Sequence, residues 1–164
     1  MEGLNVFVVG ATGAVGKALV RELLVDGRVR GVTTLGRRNV DAKVTETLSE
    51  DQRSKLKEVV VSDLGAILEQ EEEKAKFAGF DAGFCCLGTT RKDAGSAEAF
   101  RKVDYDYVTN VAQAARYEHL LEKKGAIKLT SGPQGQQLSA LFAGQLDRSR
   151  QRQLVSLSKD KGRE

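Results

Sequence analysis

The chain has 164 residues, with 26 Lys and Arg against 23 Asp and Glu, a formal net charge of +3. That length suits one domain with a real core, and no apolar run approaches the ~18 residues needed to span a membrane. Its two cysteines, the adjacent Cys85 and Cys86, cannot form a disulfide framework, and the sequence enters an apolar run directly after Met1-Glu2-Gly3, without the pattern of a signal peptide. A soluble protein of the cytoplasm is expected, with the nucleus as a further location. The charge excess is local: residues 146–164 hold six basic side chains against three acids, which equals the net charge, so residues 1–145 are balanced. A basic surface for nucleic acid is therefore not expected of the folded part.

Leu4 to Val9 is a short apolar run rich in β-branched residues and bounded by glycines, the pattern of a buried strand. Gly10 to Gly16 reads as a glycine-rich turn. Val15, Leu19 and Leu23 then recur every four residues, with Ala18 and Leu24 alongside, which predicts a helix with one buried stripe that stops at Gly27. Strands are predicted at Gly31–Leu35 and Glu58–Val61, a charged helix over about Ala66–Lys76, and a fourth strand at Ala82–Leu87. A long helix follows over Ala97–Leu121, with Phe100, Val103, Asp104, Tyr107, Val111 and Ala114 at helical spacing, then a fifth strand at Ala126–Thr130. Residues 38–56 show no firm periodicity. Strands alternating with helices imply parallel pairing, because parallel neighbours need a long crossover. The expected fold is thus α/β: a Rossmann-type doubly wound parallel sheet of about five strands over residues 1–131. Residues 132–164, rich in Gln, Ser, Gly and Arg, are expected to form a divergent, poorly ordered basic tail.

The chemistry concentrates in a few segments. Gly10-Ala11-Thr12-Gly13-Ala14-Val15-Gly16 lies between a strand and a helix. There the first glycine permits a tight turn, the second lets the backbone approach a pyrophosphate, and the third lets the helix pack closely; the helix start supplies free N–H groups. The end of the second predicted strand is the next reporter. NAD-binding proteins place an acid there for the ribose hydroxyls, whereas a 2′-phosphate calls for arginine. This chain has Gly36-Arg37-Arg38-Asn39 and no acid until Asp41, so NADP(H) is the expected cofactor, with both guanidiniums on the phosphate. Asp63, after the third strand, could accept a hydrogen bond from the adenine amino group. Leu87, Gly88 and Thr89 end the fourth strand, at the edge where ligands of such sheets lie. The cysteines read as small core residues, the single histidine, His119, as a surface group, and no metal site is expected.

On Val8 to Gly16, Leu35 to Arg38, Asp81 to Arg91, Phe100 to Val108 and Leu129 to Ser131, the chain resembles the short-chain dehydrogenase/reductase superfamily of extended or atypical type. More narrowly it resembles the Tat-interactive oxidoreductase family, whose members join a reductase-like NADP(H) fold to roles in apoptosis and transcription control. The match covers roughly residues 3–131. The resemblance implies Ser131 as the catalytic serine that holds a substrate carbonyl, followed by a Tyr-x-x-x-Lys pair in which lysine lowers the tyrosine pKa for proton exchange. The tyrosine position falls at about Phe142 and the lysine position at about Leu146, so the pair is missing. Residues 132–164 do not resemble the family's last third. A change of reading frame, a splice form or a misjoined gene would each produce this, and a tail evolved for partner binding is the alternative. Three functions follow: an impaired reductase, a non-catalytic module that senses NADP(H) or binds protein partners, and an inactive truncated product. The run Arg148 to Gln153 reads as a solvated tail before it reads as a nuclear or nucleic-acid signal.

Overall fold

The computed structural model describes residues 3–122 and 126–129. Five strands form one sheet: β1 (Leu4–Val9), β2 (Val29–Gly36), β3 (Leu56–Val60), β4 (Ala82–Cys85) and β5 (Ala126–Leu129). Their order is β3-β2-β1-β4-β5 and every pairing is parallel. The central strand is in register with β2 at Val6–Val32 and Val9–Leu35, and with β4 at Val6–Ala82 and Val9–Cys85. Such a strand is covered on both faces, which is why Leu4 to Val9 reads as an almost unbroken apolar run.

Alternate side chains of β1 feed two separate cores. Leu4, Val6 and Val8 join Val20, Leu23 and Leu24 of α1 (Ala14–Val25), together with Val29, Val32, Ala82 and Phe84. Phe7 and Val9 point the other way, into a cluster with Leu35, Val61, Ile67, Phe77, Cys85 and the buried Val108, Val111, Ala114 and Ala115. The last four come from the far side of the sheet, on or beside α6 (Val108–Glu122). Phe7 is the pivot of this second core, edge-on to Phe77 and Phe80 at centroid distances of 5.5 and 5.3 Å. A Cβ on Gly83 would lie 2.1 Å from the Phe7 ring, so β4 can pass here only as glycine.

The strands fall where the apolar runs predict them, with no end shifted by more than two residues; the helices depart further. The buried face of α1 is Gly16, Val20, Leu23 and Leu24, while Val15 and Ala18 point to solvent and Leu19 packs only partly. Steps of four drift around a helix of 3.6 residues per turn, so a stripe begun at Val15 starts off the true face, which begins at a glycine, and reaches it only at Leu23. The charged segment forms only a short helix, α3 (Glu71–Ala75), after a series of turns. The long helix is composite: α5 (Ala97–Arg101), a π-helical stretch over Lys102–Tyr107, then α6. A short α4 (Arg91–Ala94) precedes it. Residues 38–56, lacking periodicity, hold a 3-10 turn (Ala42–Val44) and α2 (Glu50–Ser54). Helix α2 owes its start to a capping box, in which the Ser49 hydroxyl accepts from the Gln52 N–H and the Gln52 side chain accepts from the Ser49 N–H.

Candidate functional site

The strand order reverses at β1, with β2 on one side and β4 on the other, and in sheets of this kind ligands bind in the crevice outside the carboxyl ends of the strands at that switch point. The three glycines after β1 meet three different constraints there. Gly10 has φ +79° and a Cβ on it would sit 2.6 Å from the Cys86 carbonyl carbon. At Gly16 a Cβ would sit 2.1 Å from the Gly10 carbonyl oxygen, so helix and turn touch backbone to backbone. Gly13 is different: its nearest neighbour to a Cβ would be the Gly10 oxygen at 3.6 Å, ordinary contact on an open side. The first and third glycines are required by the fold; the second leaves space.

Gly13 also caps α1 without a side-chain hydrogen bond, and no acid occupies the first turn of that helix. The start of a twelve-residue helix is thus left with unsatisfied N–H donors and no internal anion to compete for them. Gly13, Ala14 and Val15 are exposed and Thr12 half-buried. Val15, an apolar side chain 68% exposed, lies on this open turn. The cradle fits a pyrophosphate group.

Arg37 and Arg38 follow β2 directly and are both exposed. Among the described residues neither has an ion pair or a side-chain hydrogen bond. Their loop is nevertheless held: the Val40 N–H donates to Glu58 Oε1 at 2.6 Å, and Asp41 lies 3.5 Å from the Lys17 ammonium of α1. Asp63, exposed after β3, accepts from the Gly65 N–H at 2.7 Å, which fixes a turn and leaves its other oxygen uncommitted among the described residues.

Beyond β4, Leu87 packs partly into the second core, Gly88 is exposed and Thr89 half-buried. The Thr89 N–H donates to Asp104 Oδ1 at 3.3 Å, while Asp104 Oδ2 is buried with no hydrogen-bond partner among the described residues. Asp104 stands in the π-helical stretch, and such insertions are frequent at functional sites. Two turns further on, the Asn110 amide donates to the carbonyls of both Leu64 and Gly65 at 3.1 Å. The helical rod from residue 97 to 122 therefore braces the loops after β3 and β4 together. Sequence reasoning placed Asp104 in a helix but assigned no task to it, to Asn110 or to Lys17. The one available signal was polar side chains among apolar ones at helical spacing.

Cys85 is a core thiol: burial pushes its pKa from 9.0 up to about 12, so it is protonated and unreactive at neutral pH. Cys86 is half-buried against the first core. Ser131, Phe142, Leu146 and the tail lie outside the described residues. Every other residue expected in the site stands in or beside the loops at the carboxyl edge of the sheet.

A parallel sheet of this order, with a glycine turn feeding an uncapped helix at its switch point, defines the doubly wound dinucleotide-binding class. The chain belongs to the NAD dependent epimerase/dehydratase family, whose family model matches residues 6–131. It is 38% identical over 137 residues to Protein HTATIP2 of Rattus norvegicus, covering 80% of this chain and 52% of that protein. It is 32% identical over 117 residues to Protein FMP52, mitochondrial, of Candida albicans, covering 69% of this chain and 45% of that one. Among solved structures, an oxidoreductase of the short-chain dehydrogenase/reductase family from Burkholderia thailandensis superposes with a TM-score of 0.55 at 20% identity, over 79% of this chain and 51% of that one. The chain spans about half the length of the curated relatives it matches. The family implies a nicotinamide dinucleotide as cofactor. Among the described residues no helix is long and apolar enough to cross a membrane.

Proposed function

We propose that this chain binds NADP(H) in preference to NAD(H), and that its oxidoreductase turnover is impaired. The observation that carries the preference is the pair Arg37 and Arg38, exposed and unpartnered among the described residues at the end of β2, where an NAD site would present an acid. Guanidinium–phosphate hydrogen bonds are charge-assisted and bidentate, each contributing about 1.5–3 kcal/mol. In this reading Gly10 to Gly16 receives the pyrophosphate, Asp63 meets the adenine, and Leu87, Gly88 and Thr89 lie along the nicotinamide half. Ser131 would hold a substrate carbonyl. The sequence has no tyrosine after Tyr117, and Phe142, near the position where one is expected, has no proton to exchange. An intact cradle without the proton-transfer pair favours a second role, as a cofactor-sensing or partner-binding module. Protein partners in apoptosis or transcription come from the family resemblance alone. An inactive product is the remaining reading.

Calorimetric titration with NADPH and NADH tests the proposal. Selective NADPH binding supports it, and replacing Arg37 and Arg38 with alanine is expected to weaken NADPH about a hundredfold while sparing NADH. Equal losses for both cofactors would place the 2′-phosphate elsewhere. Absence of binding to either would favour the inactive product. The cytoplasm is the proposed location; the mitochondrial label in the relatives' names belongs to those proteins, and fractionation of the expressed chain decides between the two compartments.

A further inference from the structure

The cations around the end of β2 do not stop at Arg37 and Arg38. Lys17 is the fourth residue of α1, and its ammonium lies 3.5 Å from Asp41 Oδ2, on the loop that carries the two arginines. The two side chains are 40% and 45% exposed, so this is an ion pair on the rim of the crevice. Exposed pairs of this kind are weak and exchange partners readily, because water screens them and long side chains lose freedom in forming them. The loop does not need Lys17 to keep its shape. Asp41 Oδ1 accepts from the Lys43 N–H at 3.0 Å and caps the 3-10 turn, and Val40 is tied to Glu58 one residue earlier. That Lys43 hydrogen bond, assisted by the Lys17 charge, holds the Asp41 carboxyl below its ordinary value of 3.8, so Asp41 is an anion at neutral pH.

Resting on the NADP(H) reading above, we propose that Lys17 is a third ligand of the cofactor 2′-phosphate and that Asp41 is its resting counter-ion. When NADP(H) binds, the ammonium moves from Asp41 to the phosphate; when NAD(H) binds, it stays. A phosphate monoester carries roughly −1.5 to −2 at neutral pH, against −1 for Asp41, and Arg37 and Arg38 on the same loop help to gather it. Asp41 therefore opposes the phosphate while the loop is empty, and Lys17 favours it once bound. The preference for NADP(H) is set by the exchange as well as by the arginines.

The test uses the 164-residue chain, titrated with NADPH, NADH and adenosine 2′,5′-bisphosphate, with thermal midpoints confirming that each variant is folded. Lys17→Met is expected to weaken NADPH and the bisphosphate about three- to tenfold and to leave NADH within about twofold, with Lys17→Arg restoring the wild-type values. Asp41→Asn keeps an oxygen for the Lys43 N–H and frees the lysine, so NADPH and the bisphosphate should tighten about two- to fivefold while NADH is unchanged. Loss of NADPH affinity in Asp41→Asn, or equal losses for NADPH and NADH in Lys17→Met, overturns the proposal. A wild-type chain that prefers NADPH but is indifferent to Lys17→Met removes Lys17 alone; a wild-type chain with no preference removes the NADP(H) reading and this inference with it.

Discussion

The two halves of the crevice are built by different means. On the β1–α1 side the backbone does the shaping: a positive-φ glycine against β4, a glycine wedged under the helix start, and between them one facing open space. On the β4–α6 side side chains do it, since Asp104 holds Thr89 and Asn110 holds Leu64 and Gly65, both reaching out of one helical rod. A backbone cradle tolerates almost no change at its tight points and much at its open one. A bracket made of side chains should loosen by degrees.

The sharpest way to break that contrast is within the glycine turn itself. Gly16→Val would drive a Cβ to 2.1 Å from the Gly10 oxygen, against backbone that cannot swing aside. It is expected to cost about 3 kcal/mol or more and lower the thermal midpoint by roughly 10 °C. A Cβ on Gly13 meets only ordinary contact, so Gly13→Val should lower the midpoint far less than Gly16→Val while abolishing cofactor binding, because its side chain fills the approach to the helix N-terminus. Calorimetric unfolding together with cofactor titration separates the two. Similar midpoints for both variants would mean that the turn relaxes, and that its shape is not set by these contacts.

The bracket on the other side should respond more gently. Asp104→Ala removes the acceptor for the Thr89 N–H and is expected to cost about 1–2 kcal/mol and speed hydrogen exchange at that amide. Asn110→Ala removes two donated hydrogen bonds at a partly exposed position and should cost about 1 kcal/mol, with faster exchange near Leu64 and Gly65. Fast exchange at both loops from either single change would show that the rod moves as one body.

This contrast also explains what could be read in the sequence. The strands, the parallel sheet and the glycine turn were legible because each rests on local pattern: apolar runs of strand length and glycine at fixed spacing. The face of α1 was misjudged because Gly16 has no side chain, and a count of apolar residues begins at Val15 instead of the glycine that docks. The capping box at Ser49 and Gln52 is a readable signal that was passed over for want of an apolar stripe beside it. Asp104, Asn110 and Lys17 were beyond reach, since each acts on a partner 15 or more residues away and looks like a solvated polar residue from its own helix. Arg37 and Arg38 were legible by position relative to β2, although only the structure shows them without partners among the described residues.

A further effect, visible only at high pH, lies where the two halves meet, at Cys85 on the end of β4. Burial holds its thiol at about 12 in the folded chain, against 9.0 for an exposed one. Below pH 9 both states keep the proton and the thiol's contribution is fully present. Between pH 9 and 12 the unfolded chain gives up its proton while the folded chain keeps it, so stability falls with rising pH, by at most about 1.4 kcal/mol per pH unit. Other groups titrate in this window, so the comparison is between wild type and Cys85→Ala. The variant should be less stable at pH 7, from lost packing of about 1 kcal/mol, yet lose less on going from pH 9 to 11. Urea midpoints at pH 7, 9 and 11 read the difference directly. Parallel curves would mean that water reaches the thiol in the folded chain, and that the second core is open at the end of β4.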